Sequence, residues 1–415
     1  MLTVAATLWR AFARCWPALA AWYLGGLVVR AAVIEIAAPI GPEVPLLGLL
    51  LVPLAVLARL VSYVGMFLVL RDGLRYVRPE RDDLTFREQA REYLSVLTAT
   101  IAPFFTLYAL LGLLQEDLED YASSAIRYGL FSENPSIIDV GGGPEVLLVV
   151  VIAFGGTQLL KVLRSRTPRW VEVVAVYLEA TWVFVALTAI AGLFGPIVEW
   201  IAQRQVVQAV SQAQEFVIGL WQPIRVFVDS LGWVVPVLAQ VVLLPLAWLL
   251  ITGIVLVKAL PTVQEERLGM PVRLRVRMRL AAQTVPAAVR VASPLITDTW
   301  DETGRPAAFV GRIIAGAGLG AIAVLAGCHG LLYAAGQWLQ RGSYWLLGPH
   351  ESSFWFTWDP LIDAVVALLT EPLRIALLAV VFDAALGRWL RRRGGTPPVS
   401  AAVVAAPIAR PPTSP

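Results

Sequence analysis

The sequence predicts an all-α, polytopic integral membrane protein: a bundle of about eight transmembrane helices arranged as four hairpins, with both termini cytoplasmic. Three observations predict it. The chain is 58% hydrophobic over 415 residues, with a mean hydropathy of +0.71, where soluble domains sit near about 45–50% apolar. The surplus lies in runs of about 18 residues or more, long enough for a helix to cross a bilayer. Between these runs, basic residues alternate between rich and poor segments, as they do on the two sides of a membrane.

The first run covers residues 16–36 and follows Arg10 and Arg14. No small-residue cleavage site precedes it, so it is expected to remain in the mature chain. Further runs follow at residues 44–70, 93–114, 146–163, 170–194, 233–257, 313–338 and 361–387. Arg10 and Arg14, the segment from Arg71 to Arg91, Lys161 to Arg169, Lys258 to Arg312, and Arg388 onward fall on one side. The opposite side holds only Arg30, Arg127, Arg204, Arg225 and Arg341. Cytoplasmic loops carry such an excess, which sets the orientation. Most Trp residues, among them Trp16, Trp170, Trp233, Trp338 and Trp389, fall at the ends of runs, where indole rings prefer the interface. Trp182 and Trp248 fall inside runs and are expected to pack between helices.

Three descending runs carry Pro-Leu near their centre, at Pro53, Pro245 and Pro372; the fourth carries Gly155 and Gly156. All are helix weakeners at comparable depth. They suggest four hairpins related by an axis along the membrane normal, each with a weakened second helix.

Residues 1–393 are expected to form one transmembrane helical domain, with 258–312 as a cytoplasmic Arg-rich loop. In that loop Arg273, Arg275, Arg277 and Arg279 alternate with apolar residues. The period of two implies an extended segment with Arg on one side, suited to anionic lipid headgroups or a protein partner. Nucleic acid is not expected, because no aromatic platform is interleaved. Between Gly195 and Gly232, apolar Val206, Val207, Val210, Phe216 and Val217 alternate with glutamines, as in an amphipathic helix on the outer face. The acids Glu116, Asp117, Glu119, Asp120, Glu133, Asp139 and Glu145 read as a solvated outer loop. Residues 394–415, rich in Pro and Ala, read as a disordered tail.

Candidate sites begin with the charges inside runs: Arg59, Glu179, Glu371 and Arg374. Such charges are expected to face protein or water and to be paired. Glu371 and Arg374, three apart, share a helix face; Arg59 and Glu179 are expected to pair between helices on depth alone. They form either a solute or proton path, or a structural clasp. Gly316 and Gly320 give small-xxx-small spacing, which serves helix association within the bundle or between copies. His329 reads as a hydrogen-bonded core residue, with proton handling as the alternative.

Two cysteines and two histidines exclude a disulfide framework and a zinc site, and no metal or other cofactor is expected. GxxxxGK[ST], HExxH, GxSxG and CxxC are all absent, which disfavours an ATPase, a zinc protease and an α/β-hydrolase. Two functions remain open: a transporter- or channel-like protein with buried midplane charges, or a non-catalytic scaffold or subunit of a larger membrane complex. An intramembrane lipid-modifying enzyme ranks below both, for want of a nucleophile–base set. The expected location is a bacterial-type cytoplasmic membrane, with the bilayer itself as the main partner.

Overall fold

The computed structural model describes residues 2–77, 85–110, 112–129, 144–163, 170–202, 204, 230, 241–257 and 305–392. Among these residues all regular structure is helical. The helices are α1 (Leu2–Glu43), α2 (Pro45–Arg71), α3 (Phe86–Leu110), α4 (Leu113–Gly129), α5 (Pro144–Leu163), α6 (Trp170–Ala202), α7 (Val241–Val257), α8 (Arg305–Ala317), α9 (Leu319–Leu347) and α10 (Ser352–Arg392). The Arg273–Arg279 segment, the Gln-rich stretch between Val206 and Val217, and the tail 394–415 lie outside the described residues.

Five helices are long and apolar enough to cross a membrane, through the windows Phe12–Glu43, Pro45–Arg71, Val173–Ile190, Leu319–Leu347 and Thr357–Arg392. The bent pair α3–α4, taken as one span, makes six. The protein is therefore a multi-span, all-helical membrane protein. Its exposed side chains agree: Val28 and Val29 on α1, Val151 and Ile152 on α5, and Leu331 on α9 are all outward-facing and apolar. In water such surfaces would drive association; in a bilayer they meet acyl chains.

Three elements differ from the sequence expectation. The first run extends far beyond residues 16–36, and a single residue, Val44, joins α1 to α2. Pro45 sits at the first helical position, where its missing N–H is no loss. The turn is this tight because Gly41 meets Gly48: a Cβ on Gly48 would stand 2.8 Å from the Gly41 Cα. The run at 93–114 is not one straight helix. It turns by 80° into α4 at Gly112, whose φ of +78° is open to glycine but strained for other residues. The first part of the supposed outer loop, up to Gly129, is thus α4; residues 130–143, with Glu133 and Asp139, lie outside the described residues. The run at 313–338 is likewise split, at Gly318 with φ +85°, so that Gly316 and Gly320 fall on different helices.

The chain divides into two compact units. The first comprises Met1–Ala21, Val64–Val96 and Trp248–Pro415. In it α8 packs against α9 and α10, and α9 lies along α10. Its core holds Phe67, Leu70, Trp248, Ile254, Val310, Ile313 and the run from Ile375 to Phe382. The second comprises Trp22–Tyr63 and Leu97–Ala247. There α5 lies along α6, with Trp182 edge-on to Phe154 at 5.3 Å. A Cβ on Gly156 would come 3.2 Å from Leu178, which marks the close approach of those two helices.

Candidate functional site

The second unit holds a buried charge cluster built by four helices. Its centre is Asp117, fully buried on α4. The α4 face that turns inward carries Leu114, Asp117, Tyr121, Ser124 and Ala125, while Glu116, Glu119, Asp120 and Ser123 stay exposed. That is the helical period, so Asp117 goes inside by its place on the stripe. Arg30 of α1 donates to its Oδ1 from Nε at 3.0 Å and from Nη2, and reaches Asp120 Oδ2 at 2.6 Å. Tyr108 of α3 donates to Oδ2 at 2.6 Å. Arg59 of α2 donates to the Tyr108 hydroxyl and lies 3.9 Å from Asp117 Oδ1. Arg30, read from the sequence as an outer-face residue, is therefore part of a buried ion pair.

Around this centre the cluster is rigid. Phe104 stacks on Tyr108 with centroids 5.1 Å apart, and Tyr63 packs on Phe104 at 6.4 Å. Arg59 lies 5.6 Å from the Tyr108 ring, a cation–π distance. In these contacts two cations, Arg30 and Arg59, meet two carboxylates, Asp117 and Asp120. At about 1.5 Å per residue, Arg59 lies within ~2 Å of the middle of the α2 window. The bend at Gly112 thus leads into the helix whose Asp117 lies 3.9 Å from Arg59, near the middle of the α2 window.

The first unit holds a second group. Arg374 and Glu371 of α10 form an ion pair one turn apart, each about a fifth exposed. The Arg374 guanidinium lies 5.2 Å from the ring of Trp248 on α7. His329 of α9 is 5% exposed and close enough for the Arg374 charge to act on it. Its Nε2 is buried with no hydrogen-bond partner among the described residues. A hydrogen-bonded core histidine was expected; the structure buries the ring and leaves that nitrogen unmet, which is uncommon for a buried polar atom.

The remaining sequence candidates are placed as follows. Glu179 is half-buried on α6, within about 4 Å of the middle of its window along the helix. Pro53, Pro245 and Pro372 are buried inside α2, α7 and α10, and Gly155 and Gly156 lie inside α5; each helix continues past them. Near Pro53 the Tyr177 hydroxyl of α6 donates to the Leu50 carbonyl at 2.9 Å, tying α6 to α2; the carbonyl that loses its helical donor at the proline is that of Leu49. Asp117, Arg30 and Tyr108 were not singled out from the sequence. Among the described residues no three His, Cys, Asp or Glu side chains converge as a metal site requires. No protein-family model, curated protein or solved structure matches the chain.

Proposed function

We propose that the protein moves a small solute or ion across the membrane, as a transporter- or channel-like protein. One observation supports this most: a membrane span is interrupted at Gly112 beside Asp117, which is buried between Arg30, Arg59 and Tyr108. Interrupted helices with buried charges are the usual architecture of solute sites in secondary transporters, because the break frees backbone groups at depth. The Glu371–Arg374 pair with His329 and Trp248 in the first unit is a second, separate candidate group for the same activity.

Eight spans follow if α5 and α7, whose described apolar stretches are shorter, are added to the six. The proposed topology keeps four hairpins, cytoplasmic termini and a bacterial-type cytoplasmic membrane, on the strength of the basic-residue asymmetry. The test is proton, cation and small-anion flux in proteoliposomes, comparing wild type with Asp117→Asn, Glu371→Gln and Arg374→Gln. Flux present in wild type and lost in monodisperse variants is expected. Wild-type vesicles as tight as protein-free ones across the panel overturn the proposal.

A second possibility, a membrane scaffold or complex subunit, is favoured by the charge balance of the Asp117 cluster. A balanced network needs no solute to explain it and holds helix register by itself. On that view the same substitutions cause misassembly, visible as loss of the monodisperse peak.

A further inference from the structure

Where α2 and α10 leave the apolar zone, the first unit builds a fixed arginine pair around Tyr76. The membrane windows of these helices end at Arg71 and Arg392. Just past the first of them the chain makes a turn at Arg75 and Tyr76, whose backbone N–H groups donate to the buried Asp383 carboxylate of α10 at 3.3 and 2.7 Å. Gly387, one turn further along α10, lets the Tyr76 ring lie flat against the helix: an added Cβ would stand 2.7 Å from ring carbons. The turn is thus anchored twice, by a carboxylate and by a glycine seat.

On this seat two guanidiniums share one ring. Arg75 lies 5.9 Å and Arg391 5.8 Å from the Tyr76 centroid, and Arg391 Nη1 donates to the Tyr76 hydroxyl at 2.7 Å. Both arginines are exposed, and neither forms an ion pair among the described residues. Asp383 is buried beneath the turn, held by its backbone and close enough for the Arg75 charge to act on it, and Asp72 lies 3.7 Å from Arg71. Arg392 adds a third cation, held to the Gly316 carbonyl at 2.7 Å. Beside them Trp389 packs edge-on against Phe309 at 5.4 Å, an apolar flank at the same level. Like charges held on one ring repel, and an anion bound at their exposed side relieves that repulsion.

We propose that Arg75, Tyr76 and Arg391 form a binding site for the phosphate of an anionic phospholipid headgroup. The position fits, since the cluster lies where the spans end and headgroups begin. The chemistry fits, since paired guanidiniums take phosphate oxygens in bidentate fashion. The Trp389–Phe309 flank suits the glycerol and upper acyl region, where aromatic side chains gather. This site is independent of any transport activity.

The test is native mass spectrometry of the full-length protein in detergent, titrated with phosphatidylglycerol and, separately, with phosphatidylcholine. Preferential retention of phosphatidylglycerol is expected. Replacing both arginines (R75Q with R391Q) should weaken it about thirtyfold, at about one unit of membrane-surface attraction per arginine. Tyr76→Phe keeps both charges but frees Arg391, and should weaken binding about fivefold, the worth of one hydrogen bond. It also decides the matter if the double variant does not stay monodisperse. Arg312→Gln removes an exposed arginine of α8 outside the cluster and should change little. Equal retention of the two lipids, an Arg312→Gln loss as large as that of Arg75→Gln, or displacement of the lipid by millimolar inorganic phosphate each overturns the proposal.

Discussion

Asp117→Asn removes one charge and almost no volume from the middle of the second unit. Asp117 accepts from Arg30 at 3.0 Å and from Tyr108 at 2.6 Å, with Arg59 at 3.9 Å. An asparagine keeps one acceptor oxygen but removes the charge between Arg30 and Arg59, leaving Arg30 with Asp120, whose side chain is 58% exposed. Breaking a buried pair from one side costs about 3–5 kcal/mol, because the orphaned charge stays desolvated. Arg59 is 26% exposed and partly hydrated, and the amide retains one bond, so the low end applies: about 3 kcal/mol. Arg30→Gln with Asp117→Asn removes the charge pair, and replacing both partners is often nearly neutral. The double variant should therefore lie within about 1.5 kcal/mol of wild type, giving strong favourable coupling in a double-mutant cycle. Reversible unfolding in mixed detergent–SDS micelles reads these differences. A single variant within about 1 kcal/mol of wild type, or a double variant as damaged as the sum of the singles, refutes the buried ion pair.

Three further outcomes follow. Gly112→Ala forces a Cβ into a φ of +78°, and should destabilise by about 1–2 kcal/mol in the same unfolding assay; a neutral result means the bend is not there. Tyr177→Phe removes the bond from α6 to the Leu50 carbonyl of α2, and should cost about 1 kcal/mol in the same assay; no loss means the bond is not formed. Arg374→Gln leaves Glu371 without its partner one turn away and removes the cation over Trp248. It should slow flux in proteoliposomes at least as much as Glu371→Gln; unchanged flux in a folded variant removes this pair from the path.

Hydropathy reads spans well because it averages over a window as long as the span, and each window of apolar residues declares itself without knowledge of its neighbours. That Arg59 and Arg374 fall inside apolar runs was legible for the same reason. Asp117 was hidden by that averaging. It stands in QEDLEDY, where the other three acids, Glu116, Glu119 and Asp120, are all exposed, and a window sees only a polar loop. The helical stripe Leu114, Asp117, Tyr121, Ser124, Ala125 was present in the sequence and carries the signal that the average erased. Gly112 and Gly318 were harder. A glycine that ends a helix and one that lets two helices touch, such as Gly156, are the same letter; only backbone φ separates them. The prolines pose the converse problem: α2, α7 and α10 continue past Pro53, Pro245 and Pro372, because whether a proline ends a helix depends on the packing around it, which no local pattern carries. Asp383 escaped notice because its partners are backbone N–H groups more than three hundred residues away, a contact no local pattern can announce.

The two intramembrane charge groups can be separated by the double-neutral variant. A clasp made of Arg30 and Asp117 exists to hold α1 against α4, so replacing both charges by amides of similar shape should leave register, stability and any flux intact. A solute path through the same place uses the charges themselves, and the neutral pair then folds while conduction fails. The first unit offers the opposite case. Its imidazole at His329 has a nitrogen that the fold leaves unmet, so His329→Phe should raise stability if the ring is only filling space. If the ring carries protons, that stabilised variant should lose proton flux specifically, with other ions unaffected. Stability and flux moving in opposite directions is the signature of a group kept for function, because packing alone would have favoured the apolar residue.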